Sequence, residues 1–273
     1  MNANDLSSFL QSVLSSKIAF SLYTKAAAQQ REKRLVPDST RRAFLSRMKG
    51  DAVISRQGAQ NMKDASDMVT TAQSGVTAIK QMLTDMRKIA ADALAGTYTP
   101  AQYDAATAQL KDYAQKMIQT ADSTQFNGFH LLNGTAHGNG VFQLQAGNSA
   151  LNEALVNLLD SSVTGGQVVN GGKINLQNFL DNSTALVMTD TASAQNVITL
   201  LDTVSDSATG IEARYSNDIK SLGNLKALLE SQADIFDNAR KYYTQSPEKT
   251  PTNYLDMLLH SNSVTGGIFT GNG

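Results

Sequence analysis

The stretch MKDASDMVTTAQSGVTAIKQMLTDMRKIAADA, residues 62–93, decides the fold. Its apolar positions Met62, Ala65, Val69, Ala72, Val76, Ile79, Leu83, Met86, Ala90 and Ala93 recur in strict alternating steps of three and four. That spacing lines one side of an α-helix with a seam for other helices. A strand turns its side chains over at every second residue and cannot carry such a series. The spacing predicts a long helix packed against helical neighbours and closed by Gly96.

Beyond Gly96, Thr99-Pro100-Ala101-Gln102 sets a capping hydroxyl, a proline at the first helical position and a capping-box Gln in order, so a second helix should start at about residue 100. Its stripe is Tyr103, Ala106, Leu110, Tyr113 and Met117, and it should run to about Asp122. The short connection predicts an antiparallel helical hairpin. A third seam, Ala194, Val197, Leu201, Val204, Ala208, Ile211 and Tyr215, continues after one slip through Leu222, Leu225, Leu229 and Phe236. This predicts a helix of about 50 residues, stopped by Pro247 and Pro251, with a short segment Asn253 to His260 beyond them.

Residues 123 to 188 change character. Gly and Asn punctuate short apolar runs at Val141–Leu144, Gly166–Val169 and Lys173–Leu176, which read as strands and turns, with a short helix expected around Asn152 to Leu159. Before residue 50, Leu6, Leu10, Val13, Leu14, Ile18, Leu22 and Tyr23 form a weaker amphipathic stripe. Such a helix is marginal alone in water and needs a partner, in this chain or in another subunit.

The expected fold class is therefore mainly α: a long antiparallel helical bundle, built from an N-terminal hairpin and a long C-terminal helix, with a small insert containing a β-hairpin. The expected organisation is an assembly segment over 1–48, helical core over 49–122, the β/loop insert over 123–190, the rest of the core over 191–244, and an assembly segment with a flexible tail over 245–273. The candidate seam residues for core and assembly are Leu6, Leu10, Leu14, Ile18, Val69, Val76, Ile79, Leu83, Met86, Leu201, Val204, Ile211, Leu222 and Leu229.

Composition narrows the function. Apolar residues make 41% of the chain but aromatics only 6%, with no Trp, a mixture of small aliphatics that suits narrow helix–helix seams. Residues 1–50 carry nine Lys/Arg against Asp5, Glu32 and Asp38, a balance of +6, so the remainder of this −1 chain is −7. Spread among Glu, Gln and Ser, such residues read as a solvated or inter-subunit face, and no nucleic-acid-binding motif accompanies them. With no Cys, neither disulfides nor thiolate chemistry is possible, and a protein working outside the cell must be held by packing or assembly. The start, MNANDLSSFLQSVLSSK, lacks the charged beginning of a cleaved secretory signal, and no apolar run is long enough to predict membrane insertion.

No catalytic constellation can be nominated. His130, His137 and His260 are the three histidines, and no H-E-x-x-H or Cys/His cluster exists to hold a metal. The glycines at Gly165-Gly166 and Gly171-Gly172-Lys173 lack Walker spacing and read as turns. Asn133-Gly134-Thr135 and Asn182-Ser183-Thr184 match the glycosylation sequon.

The segment Ser123-Thr124-Gln125-Phe126-Asn127-Gly128-Phe129-His130-Leu131-Leu132-Asn133-Gly134 resembles the signature of bacterial flagellins, in which T-Q-F-N-G precedes a hydrophobic pair and a Gly. Gln125, Phe126, Asn127, Gly128, Leu132 and Gly134 are the motif residues. Phe142-Gln143-Leu144-Gln145-Ala146-Gly147 resembles the F-Q-x-G-A strand that follows it in that family, Arg56 to Ala65 the lead-in to its long helix, and Ala213-Arg214-Tyr215 with Leu222-Gly223-Asn224-Leu225 its carboxy-terminal pattern. The resemblance covers about residues 40 to 240. The ends depart from it: Arg34 to Thr40 replaces S-S-G-x-R-I-N, and two prolines and a Gly-rich tail replace the final helix.

The resemblance implies a structural, non-enzymatic subunit of an extracellular flagellin-type filament, self-assembling through helical seams and exported without a cleaved signal peptide. It implies no cofactor. Its partners would be further copies of itself, hook-junction and cap proteins and an export chaperone, with no nucleic acid and no membrane insertion. The alternatives are a hook–filament junction-type protein or a secreted flagellin-like adhesin or effector. The family's immune-receptor core R-x-R-E-L falls here on Asp85-Met86-Arg87-Lys88-Ile89, whose changed charges predict weak receptor activation.

Overall fold

The computed structural model describes residues 38–133, 141–147, 149–154, 176 and 185–245. Helix α1 spans Asp38–Leu94, α2 Pro100–Ser123 and α3 Thr191–Gln245. Between α2 and α3 lie β1 (Gln125–Phe126), β2 (Phe129–His130), β3 (Val141–Ala146) and β4 (Ser149–Ala154). β1 pairs with β2 and β3 with β4, in two separate two-stranded sheets. The fold is the expected helical bundle with a small β insert.

The local signals act where they were read. Thr99 caps α2: its side chain accepts from the Gln102 amide while the Gln102 side chain takes the Thr99 N–H at 2.7 Å, with Pro100 in the first turn. α1 stops at Leu94, and Gly96 follows at φ +76, a left-handed conformation that glycine adopts without Cβ strain. At the start of α3, the Asp190 carboxylate accepts from the Ser193 amide at 2.8 Å, and the Ser193 hydroxyl in turn accepts from the Thr189 and Asp190 amides. These bonds satisfy donors that a helix start leaves open.

The expected short helix around Asn152 to Leu159 is corrected. Residues 152–154 belong to strand β4, where pairing with β3 satisfies backbone groups that a helix of two turns leaves largely open; residues 155–159 lie outside the described residues. The strands expected at Gly166–Val169 and Lys173–Leu176 also lie outside them, apart from the buried Leu176. Strand β3 runs two residues past the expected Leu144. Helix α1 begins at Asp38 and so runs through residue 49, where the helical core was expected to start.

The chain divides into two compact units. The described residues of the first are 38–63, 144–147, 149–151 and 223–245. Here α1 and α3 run antiparallel: the Arg41 guanidinium donates to the Tyr243 carbonyl at 2.9 Å, and Ser55 Oγ donates to Gln232 Oε1 at 3.3 Å. Met48 and Ala239 are buried together, and Phe44 and Tyr243, whose rings meet edge to face, pack against them.

The second unit holds described residues 64–133, 141–143, 152–154, 176 and 185–222. α1 and α3 are again antiparallel, with Gln73 Nε2 donating to Ser216 Oγ at 2.8 Å and Lys80 Nζ to Glu212 Oε2 at 2.7 Å. α2 returns along α1, its Tyr103 hydroxyl donating to the Ala93 carbonyl at 3.2 Å. Val69, Ala72, Val76, Ile79, Leu83, Met86, Leu110, Met117, Leu201, Val204 and Tyr215 are all buried there. Each such aliphatic contributes about 1.5–3 kcal/mol relative to exposure, which makes the seam the main stabilising term.

Candidate assembly and interaction surfaces

Among the described seam residues, Val69, Val76, Ile79, Leu83, Met86, Leu201, Val204, Ile211, Leu222 and Leu229 are all at most 4% exposed. They are consumed inside the subunit, and a neighbouring copy cannot reach them without opening it. Leu6, Leu10, Leu14 and Ile18 lie outside the described residues.

The motif residues build a clip. Gln125 pairs with His130 and Phe126 with Phe129 across β1–β2. The two-residue turn between them holds Asn127 at φ 50 and Gly128 at φ 82, the pair of left-handed positions that a tight hairpin demands and that Asn-Gly supplies at least strain. That dipeptide was a readable hairpin signal that the run-based reading passed over. Leu131 and Leu132 follow, 2% and 0% exposed, and the Leu131 amide donates to the Thr124 carbonyl at 2.9 Å. The His130 ring contacts the Asp122 carbonyl, and Asn133 Nδ2 donates to Asp122 Oδ1 at 2.8 Å, so the hairpin is tied back to the end of α2. Gly134 lies outside the described residues.

Two glycines that the helical pattern did not single out receive the insert. A Cβ on Gly75 would meet Thr124 Oγ1 at 2.5 Å and Leu132 Cδ1 at 2.8 Å. A Cβ on Gly58, in the first unit, would stand under 3.0 Å from the Gly147 amide nitrogen. Gly147 itself sits at φ +63, and Asn61 Nδ2 donates to the neighbouring Gln145 carbonyl at 2.8 Å. The two glycines clear seats on α1 for the clip and for the β3–β4 turn.

Polar surface residues lock α1 to α3. In the first unit Arg56 donates to Asp237 Oδ2 at 2.5 Å and lies 3.7 Å from Asp234, while Arg240 approaches Asp237 at 3.4 Å. The hydrogen bond from Arg56, with the charges of Arg56 and Arg240, holds the Asp237 carboxyl below its ordinary value. In the second unit, burial alone would raise Glu212, but the hydrogen bonds from Lys80 and Thr77 and the Lys80 charge bring it below the ordinary value. Arg87, the one arginine kept in the segment resembling the receptor core, donates to Asp202 through Nε at 2.5 Å.

This arrangement packs, clips and cross-links helices. Among the described residues no group of three or more His, Cys, Asp or Glu could hold a metal ion, and no helix is long and apolar enough to cross a membrane.

Comparison with known proteins adds the following. Residues 23–137 match the family profile of the bacterial flagellin N-terminal helical region. Among solved structures, the chain is similar to a flagellin of Bacillus cereus at 22% identity, over 62% of this chain and 88% of that chain, with a TM-score of 0.48. It shares the fold of a Vibrio parahaemolyticus chain designated a flagellar hook-associated protein, at 14% identity over 76% of this chain and 99% of that chain, with a TM-score of 0.60. No curated protein sequence matches it.

Proposed function

From the match of residues 23–137 to the flagellin N-terminal helical region, we propose that this chain is a flagellin-family protein and an exported structural subunit of an extracellular flagellin-type filament that assembles from copies of itself. The observation that carries the reading is that family region, folded back antiparallel on the long helix α3 in each unit. The protein is non-enzymatic in this reading: its described polar residues tie helices together and converge on no reacting centre.

The seams of the described helices are closed within the subunit, so assembly relies on outer faces of the helices and on the terminal segments. Head-to-tail copies related by a helical operation then grow without closing. Raising the concentration of the purified full chain at high ionic strength, with filament seeds, should give fibres by negative-stain electron microscopy and a pelletable fraction. A chain that stays monomeric under those conditions refutes the proposal.

A second reading is a hook–filament junction subunit, favoured by the fold shared with 99% of the hook-associated chain. It predicts binding to hook or filament ends with no fibre growth. A secreted adhesin or effector is separated by deleting residues 1–50: loss of partner binding with polymerisation intact supports it, and loss of polymerisation supports the filament subunit.

A further inference from the structure

In the first unit one column of the α1–α3 seam repeats at every seventh residue. On α1 it holds Met48, Ser55 and Met62, and on α3 Leu225, Gln232 and Ala239. Met48 and Ala239 are buried together. One heptad further along, Ser55, 4% exposed, donates to Gln232 Oε1 at 3.3 Å. A hydroxyl and an amide thus stand where the repeat calls for aliphatics. Polar groups in an interior are costly unless they are paired, so this pair is tied to the one alignment in which its members meet.

A slide of α3 by one heptad, about 10 Å along α1, moves each of its residues into the place of the one seven positions further on. Glu230 then replaces Asp237 opposite Arg56, Phe236 replaces Tyr243 beside Phe44, and Leu222 replaces Leu229 near Gly147. Lys226 replaces the buried Ala233, and its stem can carry the amine out to water. Charge, aromatic contact and apolar burial therefore barely tell the two alignments apart. The mismatch falls on the polar pair. Leu225 comes to face Ser55, and Gln232 enters the place of Ala239, fully buried against Met48, where a thioether is at most a weak acceptor for its amide.

We infer that Ser55 and Gln232 are an alignment key: they exclude the heptad-slipped pairing of α1 with α3 while the chain folds, and they do so at the expense of stability. A polar residue at a seam position sets register in helical seams at a like expense. An interior amide left unpaired disfavours the wrong alignment more than the bond, once made, favours the right one. In the second unit the same slide would withdraw Glu212 from Lys80 and Asp202 from Arg87. A slipped species therefore has to reopen before the fold is complete. The key acts within a single subunit and does not depend on whether copies assemble.

The test uses the full chain at concentrations where light scattering shows monomer. Ser55→Ala with Gln232→Leu makes the column apolar throughout and should leave the urea midpoint unchanged or raise it. On refolding by dilution from urea, followed by circular dichroism, that double variant should gain a slow phase that the natural chain lacks, carrying about a tenth or more of the amplitude. Met62→Leu with Leu225→Met, an apolar exchange at the next heptad, should not add it. The chain has no cysteine, so nitroxides on Ala43→Cys and Ala227→Cys, two exposed positions of the same unit, identify the slow species. In samples frozen during that phase, pulsed electron resonance should show a shorter label distance, its component along the helices having fallen by about 10 Å. A lowered urea midpoint, a refolding trace like that of the natural chain, a slow phase in the apolar exchange as well, or a slow species with the native label distance each overturns the inference.

Discussion

Gly58 faces the β3–β4 turn so closely that alanine, ordinarily the better helix residue, should destabilise the protein there. In an unobstructed helix the change from Gly to Ala gains about 1 kcal/mol. At position 58 the new Cβ would fall under 3.0 Å from the Gly147 nitrogen and 3.2 Å from the Ala146 carbonyl carbon. Both are backbone atoms, so no rotamer change relieves the overlap and the turn must move by about 1 Å. Overpacking of this kind costs about 1–3 kcal/mol. The displacement also weakens the hydrogen bond from Asn61 to the Gln145 carbonyl, worth about 1 kcal/mol. The expected net effect is a loss of about 2 kcal/mol. Gly223, in the same unit and on α3, is the control: its added Cβ would meet nothing within 4 Å, so Gly223→Ala should gain about 1 kcal/mol. Urea unfolding followed by circular dichroism gives the two stabilities, and hydrogen exchange of the amides of residues 144–151 reports the turn. If Gly58→Ala stabilises as Gly223→Ala does, with turn protection unchanged, the close-approach argument is wrong.

Thr99→Ala removes the capping hydroxyl of α2 and should cost about 1 kcal/mol in thermal or urea unfolding. At Asn127, φ 50, glycine should be tolerated while valine costs about 1–3 kcal/mol, visible as lost protection of the β1–β2 amides. Asp190, Glu212 and Asp237 all have carboxyls held below their ordinary values. A depressed carboxylate contributes stability above its unfolded pKa and loses it as pH falls through the folded one, so the unfolding midpoint should be flat from pH 8 to about 5 and fall below about pH 4. Burial, with a smaller contribution from Tyr242, pushes the Tyr243 phenol up to about 12. A raised folded value leaves stability intact below the unfolded value and removes it on the way up, so stability should decline between about pH 10 and 12. Tyr243→Phe should abolish that alkaline component.

The helices were legible because their information is local and periodic. Steps of three and four from Met62 to Ala93 suffice to set a helix and the face it buries, and Thr99 with Gln102 sets the start of α2, since capping concerns only neighbours on the chain. The insert was less legible. Asn127-Gly128 carried a hairpin signal, but two-residue strands offer no periodicity to read. The run Ser149–Ala154 has no alternation strong enough to reveal a strand, and it became one through pairing with β3. The roles of Gly58 and Gly75 were not legible, because a glycine that breaks a pattern looks the same whether it faces water, as Gly223 does, or another backbone. The ion pairs Arg56–Asp237, Lys80–Glu212 and Arg87–Asp202 join residues more than a hundred positions apart in sequence, so their partners depend on the register between α1 and α3. Sequence alone thus determined the helical class, the extents of α2 and α3 and the candidate core. Tertiary structure decided that the described seams are spent within the subunit, and that Val53 and Ile54 remain outside. Periodicity says which residues prefer to be buried; only the packed register says against what.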